Sequence, residues 1–204
     1  MQRYTRMVPA LAVVAGMGLP ASASDFCATP EQTKQVRAFY ATNPGTMPPV
    51  AATRLGLPEA TVVSALEPEQ TASAAGSHFA EIWTAMGEWK EATFLIMKGA
   101  NVFEIRSAVG KGTPSTKSQY YNIEYTHPLR GHLRLDLYAS IYAVSLPVKD
   151  KVGPRGVLFY DAEGASVFGA FISGDGPPPE AAELAKFDQL MALIRSKPAV
   201  CARE

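Results

Sequence analysis

The chain has 204 residues, and its 19 basic and 19 acidic side chains give a formal net charge of +0 at pH 7. A neutral chain has no electrostatic attraction to nucleic acid or to an anionic membrane surface, so neither is an expected partner. The length suits one compact domain with a sizeable core and a small helical segment beside it.

The first 23 residues have the three parts of a secretory signal peptide. Two arginines precede an apolar run over 7–19, which is too short to span a bilayer, and Ala21-Ser22-Ala23 is a small-x-small cleavage motif. We therefore expect a periplasmic or secreted protein that begins near Ser24 and has no membrane attachment after cleavage. An uncleaved membrane anchor is the alternative.

The two cysteines, Cys27 and Cys201, stand near opposite ends of the mature chain. In an oxidising compartment this even number suggests a disulfide that fastens the two ends together. Two unpaired thiols are the alternative, because a sequence does not show the geometry that a disulfide needs. There is no Cys-x-x-Cys-His motif, which excludes a covalently attached haem of the c type.

The periodicity of the amino-terminal part predicts three short helices. The first stops at Asn43-Pro44, the second ends near Gly56, and the third begins at Pro58. Small residues over 73–78 then indicate a hinge, and 79–89 has the apolar face of another helix. We divide the chain into a signal peptide (1–23), a helical amino-terminal segment (24–72) and a sheet domain with a closing helix (73–204).

The pattern changes to strands after Ala92. Seven short runs rich in β-branched and aromatic residues are separated by turn residues, which predicts an antiparallel meander. An amphipathic helix over 180–196 follows the last run. The fold class is therefore α+β, with an antiparallel meander sheet of about seven strands, amino-terminal helices and a carboxy-terminal helix. The predicted strands are 93–97, 101–109, 119–125, 131–137, 139–146, 155–161 and 166–172.

The predicted strand over 131–137 has an unusual polar face. At a period of two residues, His132, Arg134 and Asp136 point to one side, and three leucines point to the other. The leucines are core residues on this interpretation. His132 either faces a groove, where a neutral imidazole can bind a metal, or is an ordinary hydrogen-bonded surface histidine.

Three stretches together resemble the haem-utilisation carrier family of the HutX/ChuX type. The resemblance runs from the amino-terminal helices through the last strand. It implies a homodimer built on an antiparallel sheet, which binds haem without covalent attachment and carries it between a haem donor and an acceptor protein. The stretches are "EIWTAMGEWKEATFLIMKGANVFEI", "YYNIEYTHPLRGHLRLDLYASIYAVSL" and "GVLFYDAEGASVFGAFISGD".

The resemblance also implies particular ligands. Two histidines are associated with haem binding in that family; the second falls on His132, and at the place of the first this chain has Met97. A thioether is an accepted axial ligand of haem iron, although methionine is also a common packing residue. The family is known as cytosolic, so the signal peptide is a second departure from its pattern.

Several other side chains are candidates for contact with haem. His127 is a second possible ligand, or a solvated turn residue beside a proline. Cations at Lys98, Arg130 and Arg134 can meet propionates, although basic residues also protect strand edges. Tyr120 and Tyr121 can cover the porphyrin face, unless they belong to the core.

We expect non-covalent haem binding and trafficking or sequestration in the periplasm, without enzymatic activity. A non-haem interaction or assembly module on the same fold is the alternative, and a haem-degrading or redox enzyme is a third. The sequence has no zinc-ligand spacing, no glycine-rich phosphate loop after a strand and no nucleophile elbow, so other enzyme classes have no motif behind them.

Overall fold

The computed structural model describes residues 23–98, 101–173 and 178–201. The predicted signal peptide lies outside the described residues, apart from Ala23. In the described part of the chain, no helix has both the length and the apolar composition needed to cross a membrane.

The predicted helices are confirmed, and their ends follow local chemistry. Thr29 begins the first helix with a capping box: its hydroxyl accepts a hydrogen bond from the Gln32 N–H, and the Gln32 side chain accepts one from the Thr29 N–H. The second helix ends at Gly56, whose φ of 65° is a conformation that glycine adopts without strain. The helices are α1 (Pro30–Thr42), α2 (Pro48–Leu55), α3 (Glu59–Ser64), α4 (Phe79–Met86) and α5 (Ala181–Arg195).

The strands form two antiparallel sheets. Six strands pair in the order β1-β7-β8-β9-β2-β3, and the three short strands β4-β5-β6 form a separate small sheet. The α+β class and the antiparallel pairing are confirmed, but the described strands do not make one meander. The strands are β1 (Thr71–Ala75), β2 (Ala92–Lys98), β3 (Asn101–Ser107), β4 (Gly112–Pro114), β5 (Tyr120–Ile123), β6 (Gly131–Arg134), β7 (Ser140–Ser145), β8 (Arg155–Tyr160) and β9 (Ser166–Ser173).

The predicted hinge over 73–78 is wrong. Its first half belongs to β1, which pairs with β7 and is buried over four of its five residues. Small side chains are needed there because α5 packs against β1. The second half is a single 3₁₀ turn that starts at Gly76, where a Cβ atom would lie 1.7 Å from the Tyr138 carbonyl oxygen.

The predicted strand over 131–137 is too long. β6 ends at Arg134, and Leu135–Leu137 form a 3₁₀ turn instead. The turn breaks the alternation of faces, so Leu137 is 55% exposed, whereas Leu133 and Leu135 pack against the core. Asp136 therefore reaches its position from the turn and not from a strand.

The large sheet has a hydrophobic core on each side. On one side it packs against α4, α5 and the inner face of the small sheet, and Phe79 stacks there between Trp83 and Tyr138. On the other side it packs against α1, α2 and α3. Alternation along β8 serves both cores, because Phe159 points into the first and Tyr160 into the second.

The predicted disulfide between Cys27 and Cys201 is present, with the two Cα atoms 5.5 Å apart. The Tyr142 hydroxyl lies 3.4 Å from the Cys201 sulfur, so the bridge is attached to the large sheet through β7. It joins the segment before α1 to the segment after α5, across 174 residues of sequence.

Candidate functional site

A groove of about 830 Å³ lies between the end of β6 and the β8–β9 hairpin. His132 and Arg134 line one wall, residues 161–163 of the hairpin line the other, and Tyr138 and Val167 also contribute. This volume lies in the range of roughly 300 to 1,000 Å³ that is typical of pockets for small molecules and cofactors.

His132 stands on the outer face of the small sheet. In the β5–β6 pairing it lies opposite Asn122, and its Nδ1 atom is 2.7 Å from the Asn122 Oδ1 atom. The residues on either side of Asn122 in β5 are buried in the core, so the alternation of the strand turns Asn122 and His132 outward. The predicted direction of the His132 side chain therefore follows from the register of this hairpin.

Arg134 shares this outer face and is already paired. Its Nε and Nη2 atoms donate hydrogen bonds to the two carboxylate oxygens of Asp136 at 2.7 and 2.5 Å, and its guanidinium lies 5.8 Å from the centre of the Tyr120 ring. The hydrogen bonds from Arg134 hold the pKa of the Asp136 carboxyl below its ordinary value. A carboxylate ligand that binds Arg134 must therefore compete with Asp136.

The two neighbouring tyrosines have different environments. Tyr120 is exposed, and its ring lies edge-on to His132 at a centroid distance of 6.0 Å. Tyr121 is on the opposite face, where it is buried in the core and its hydroxyl donates to the Gly112 carbonyl oxygen at 2.8 Å. The structure therefore brings Tyr120 together with His132 and separates Tyr121 from both.

The remaining predicted site residues do not line the described part of the groove. The His127 ring packs on the β3–β4 connection, since a Cβ atom on Gly110 would lie 3.0 Å from it. Arg130 lies over the ring of Tyr125 in the β5–β6 loop. Met97 is half-buried in the β2–β3 hairpin, two residues beyond the last pair of the β2–β9 ladder. Lys98 ends β2, and its side chain is outside the described residues.

The hairpin wall of the groove is acidic. Asp161 accepts hydrogen bonds from the Glu163 and Ala165 backbone N–H groups, which fixes the turn. Behind it, burial and, to a smaller extent, the charge of Asp161 together raise the pKa of Glu59 to about 7. The floor residue Tyr138 has its pKa raised by burial to about 12 and stays a neutral phenol.

Two participants are missing from the sequence-based prediction: Asn122 and the position of the β8–β9 hairpin. Asn122 stands in the run "YYNIEY" between two core positions, so its outward direction could have been found from the period of two. The contact between Asn122 and His132 could not have been found in this way, because the contact depends on the register of β5 and β6. The turn of this hairpin was predicted, but the sequence contains no signal that places it opposite β6.

No group of three or more histidine, cysteine, aspartate or glutamate side chains that could hold a metal ion occurs in the part of the chain that the structure describes. A profile of the family described as "Haem utilisation ChuX/HutX" matches residues 72–190, which is more than half of the chain. The chain belongs to the ChuX/HutX family. The matched residues include β1 after its first residue, β2 to β9 and most of α5, and so contain the whole described lining of the groove.

Similar proteins agree with this membership. The chain is 27% identical over 143 residues to the intracellular heme transport protein HutX of Vibrio cholerae, a match that covers 70% of this chain and 72% of that protein. The solved structure of the heme-binding protein ChuX superposes with a TM-score of 0.67 at 19% identity, covering 78% of this chain and 99% of that one.

A more distant ChuX/HutX-like fold belongs to a longer protein. ChuS, a heme oxygenase of Escherichia coli, superposes with a TM-score of 0.56 at 16% identity. The match covers 71% of this chain but 42% of ChuS. At this level of identity the similarity concerns the fold alone.

Proposed function

We propose that this protein binds haem non-covalently in the groove beside β6 and carries or sequesters it, with His132 as an axial ligand of the iron. The proposal rests on the position of His132. Its Nδ1 atom is engaged by Asn122, and the side chain lines a groove of cofactor size. Membership of a haem-utilisation family supports the choice of ligand.

The apolar and basic groups in the groove fit a porphyrin, whereas its acidic hairpin wall would have to face away from the propionates. Leu137 and Val167 offer apolar surface to a porphyrin face, and Arg134 is a cation for a propionate. The competition from Asp136 weakens that contact. Weak holding suits a carrier, because a carrier must release its cargo at a useful rate.

The experiment that tests the proposal is a titration of haemin into the purified protein, followed through its absorption spectrum. We expect a saturable shift at one haem per chain, which His132→Ala abolishes. His78→Ala is the matched control, because that histidine lies outside the described lining of the groove and pairs with Glu81, and it should retain the shift. An unsaturable response in the unmodified protein would overturn the proposal and favour the non-haem interaction module.

Met97 as a second ligand stays a prediction. A thioether on the sixth position raises the potential of haem iron relative to a second imidazole. If Met97 binds iron, Met97→Ala will change the spectrum and lower the midpoint potential of the bound haem. If it is a packing residue, the spectrum will be the same as that of the unmodified protein.

We also propose that the protein works in the periplasm after removal of residues 1–23. The disulfide supports this location, because such bridges persist in oxidising compartments. Intact-mass measurement of the protein from the periplasmic fraction should give a chain that begins near Ser24 with its two cysteines oxidised. A full-length chain with free thiols in the cytoplasmic fraction would contradict it.

The third part of the proposal is that the protein carries haem without degrading it, and the similarity to HutX, a heme transport protein, supports this. The resemblance in fold to ChuS makes oxygenase activity the alternative to exclude. Haem-loaded protein given a reductant and oxygen should keep its haem spectrum. Loss of that band, with formation of a linear tetrapyrrole, would show an enzyme.

We propose finally that two copies associate through β3, which lies at one edge of the large sheet. Val102 and Phe103 on this strand are 53% and 56% exposed. Unpaired edges with apolar side chains pair readily with a second strand. The length of ChuS, in which this chain matches less than half, is consistent with a pair of such units.

A further inference from the structure

We propose that Asn122 is a positioning residue for haem: it holds His132 in the tautomer that presents the Nε2 atom to the iron. This inference rests on the proposed function, since it names the second residue on which the same contact depends. It concerns how His132 is prepared for the ligand, and not which ligand is bound.

The contact itself determines the position of the proton. The Oδ1 atom of an asparagine amide can only accept a hydrogen bond, so at 2.7 Å the Nδ1 atom of His132 must be the donor. A neutral imidazole that carries its proton on Nδ1 has its lone pair on Nε2. The groove therefore receives the basic nitrogen and not an N–H group.

The sheet makes this arrangement reproducible. Asn122 and His132 are directly opposite each other in the β5–β6 ladder, and the adjacent pair, Tyr121 and Leu133, packs toward the core. A slip of β6 by one residue would bury His132 and expose Leu133, which the core strongly disfavours. The Tyr120 ring, edge-on to His132, limits the rotation of the imidazole further.

The hydrogen bond from His132 to Asn122 is of the kind that supports a metal-binding histidine. A histidine that binds a metal through one nitrogen usually donates its other N–H to a carboxylate, a carbonyl or water, which fixes the tautomer and makes the ligand more basic. Loss of such a partner commonly costs about 10- to 100-fold in metal affinity. Because this hydrogen bond is exposed, we expect an effect at the lower end, about tenfold.

The first test needs no haem. Nitrogen-15 NMR of the imidazole, at a pH where His132 is neutral, should show the Nδ1–H tautomer as the major form in the unmodified protein. Asn122→Leu should shift the population toward Nε2–H, whereas Gln119→Leu, which removes an exposed amide just before β5, should not. A major Nε2–H form in the unmodified protein would mean that the asparagine donates instead of accepting, and would overturn the inference.

The second test uses bound haem. Asn122→Leu should weaken haemin binding about tenfold, and Asn122→Asp, a stronger acceptor of nearly the same shape, should restore it. Asn122→Asp should also lower the midpoint potential of the haem, because a more basic imidazole favours ferric iron. A merely structural asparagine would not change the potential.

The two levels of the proposal fail in different ways. If the unmodified protein does not bind haemin through His132, the proposed function fails, and the assigned role of Asn122 fails with it. If haemin binds through His132 but its affinity and potential are the same in both Asn122 variants, the proposed function stands and only the positioning role is overturned.

Discussion

Glu59 gives the fold a stability that depends on pH near neutrality. It is the first residue of α3, and its Oε2 atom is buried without a hydrogen bond to any described residue. Burial, followed by the charge of Asp161, raises its pKa from 4.5 to about 7. The folded state therefore binds a proton at Glu59 more tightly than the unfolded state does. The free energy of unfolding that neutral Glu59 contributes is therefore complete below pH 4.5 and is lost as the pH rises through about 7.

The size of the effect follows from the two pKa values. The difference between about 7 and 4.5 corresponds to about 3 kcal/mol at most. Glu59 is only half-buried, and solvent screening reduces the expected loss to ~1–2 kcal/mol. Glu59→Gln keeps the shape and removes the charge, so the variant should equal the unmodified protein near pH 4.5 and exceed it by this amount above pH 7.

The assay is urea unfolding followed through the fluorescence of the buried Trp83 and Trp89. It is repeated from pH 4.5 upward through the pKa of Glu59. Glu163→Gln is the control, because Glu163 is exposed on the nearby hairpin. A difference between Glu59→Gln and the unmodified protein that stays constant over this range would refute the assignment of a raised pKa to Glu59.

Three other substitutions examine separate features. Asp136→Asn frees Arg134 for a propionate and should tighten haemin binding ~3- to 10-fold in an equilibrium titration; weaker binding would show that Asp136 itself contacts the ligand. Cys201→Ser opens the disulfide and should lower the free energy of unfolding by about 2–5 kcal/mol by calorimetry, whereas an unchanged transition would contradict a contribution from the bridge. Phe103→Lys puts a charge on the edge of β3 and should convert dimers to monomers in sedimentation; dimers that persist would place the interface elsewhere.

The helices and most strands could be predicted because their signals are local. A capping residue, a glycine at a helix end and an apolar period are written in consecutive residues, as at Thr29 and Gly56. β1 was missed for the opposite reason. Thr71–Ala75 has the small residues of a hinge, and only the approach of α5 explains why a strand there needs them.

The sequence predicted which face of the strand the polar side chains occupy, but not the full set of residues that line the groove. The period of two residues correctly turned His132 and Arg134 to one face. Asp136 joins them through a 3₁₀ turn, which no alternation predicts. Gly112 is a similar case: it lies between the predicted strands 101–109 and 119–125, but it belongs to β4, where a Cβ atom would lie 2.2 Å from the Tyr121 ring. Such contacts depend on pairing across the small sheet, which the sequence does not contain.

The disulfide also makes the chain close to circular. With the Cα atoms of Cys27 and Cys201 5.5 Å apart, a linker of a few residues could join these positions, and new ends could be opened in the exposed turn at Lys149 and Asp150. Such a circular permutant would replace a bond that reductants break with a peptide bond that they do not. The permutant would keep these two positions joined in a reducing compartment. Haemin binding by the groove could then be measured there without any dependence on the disulfide.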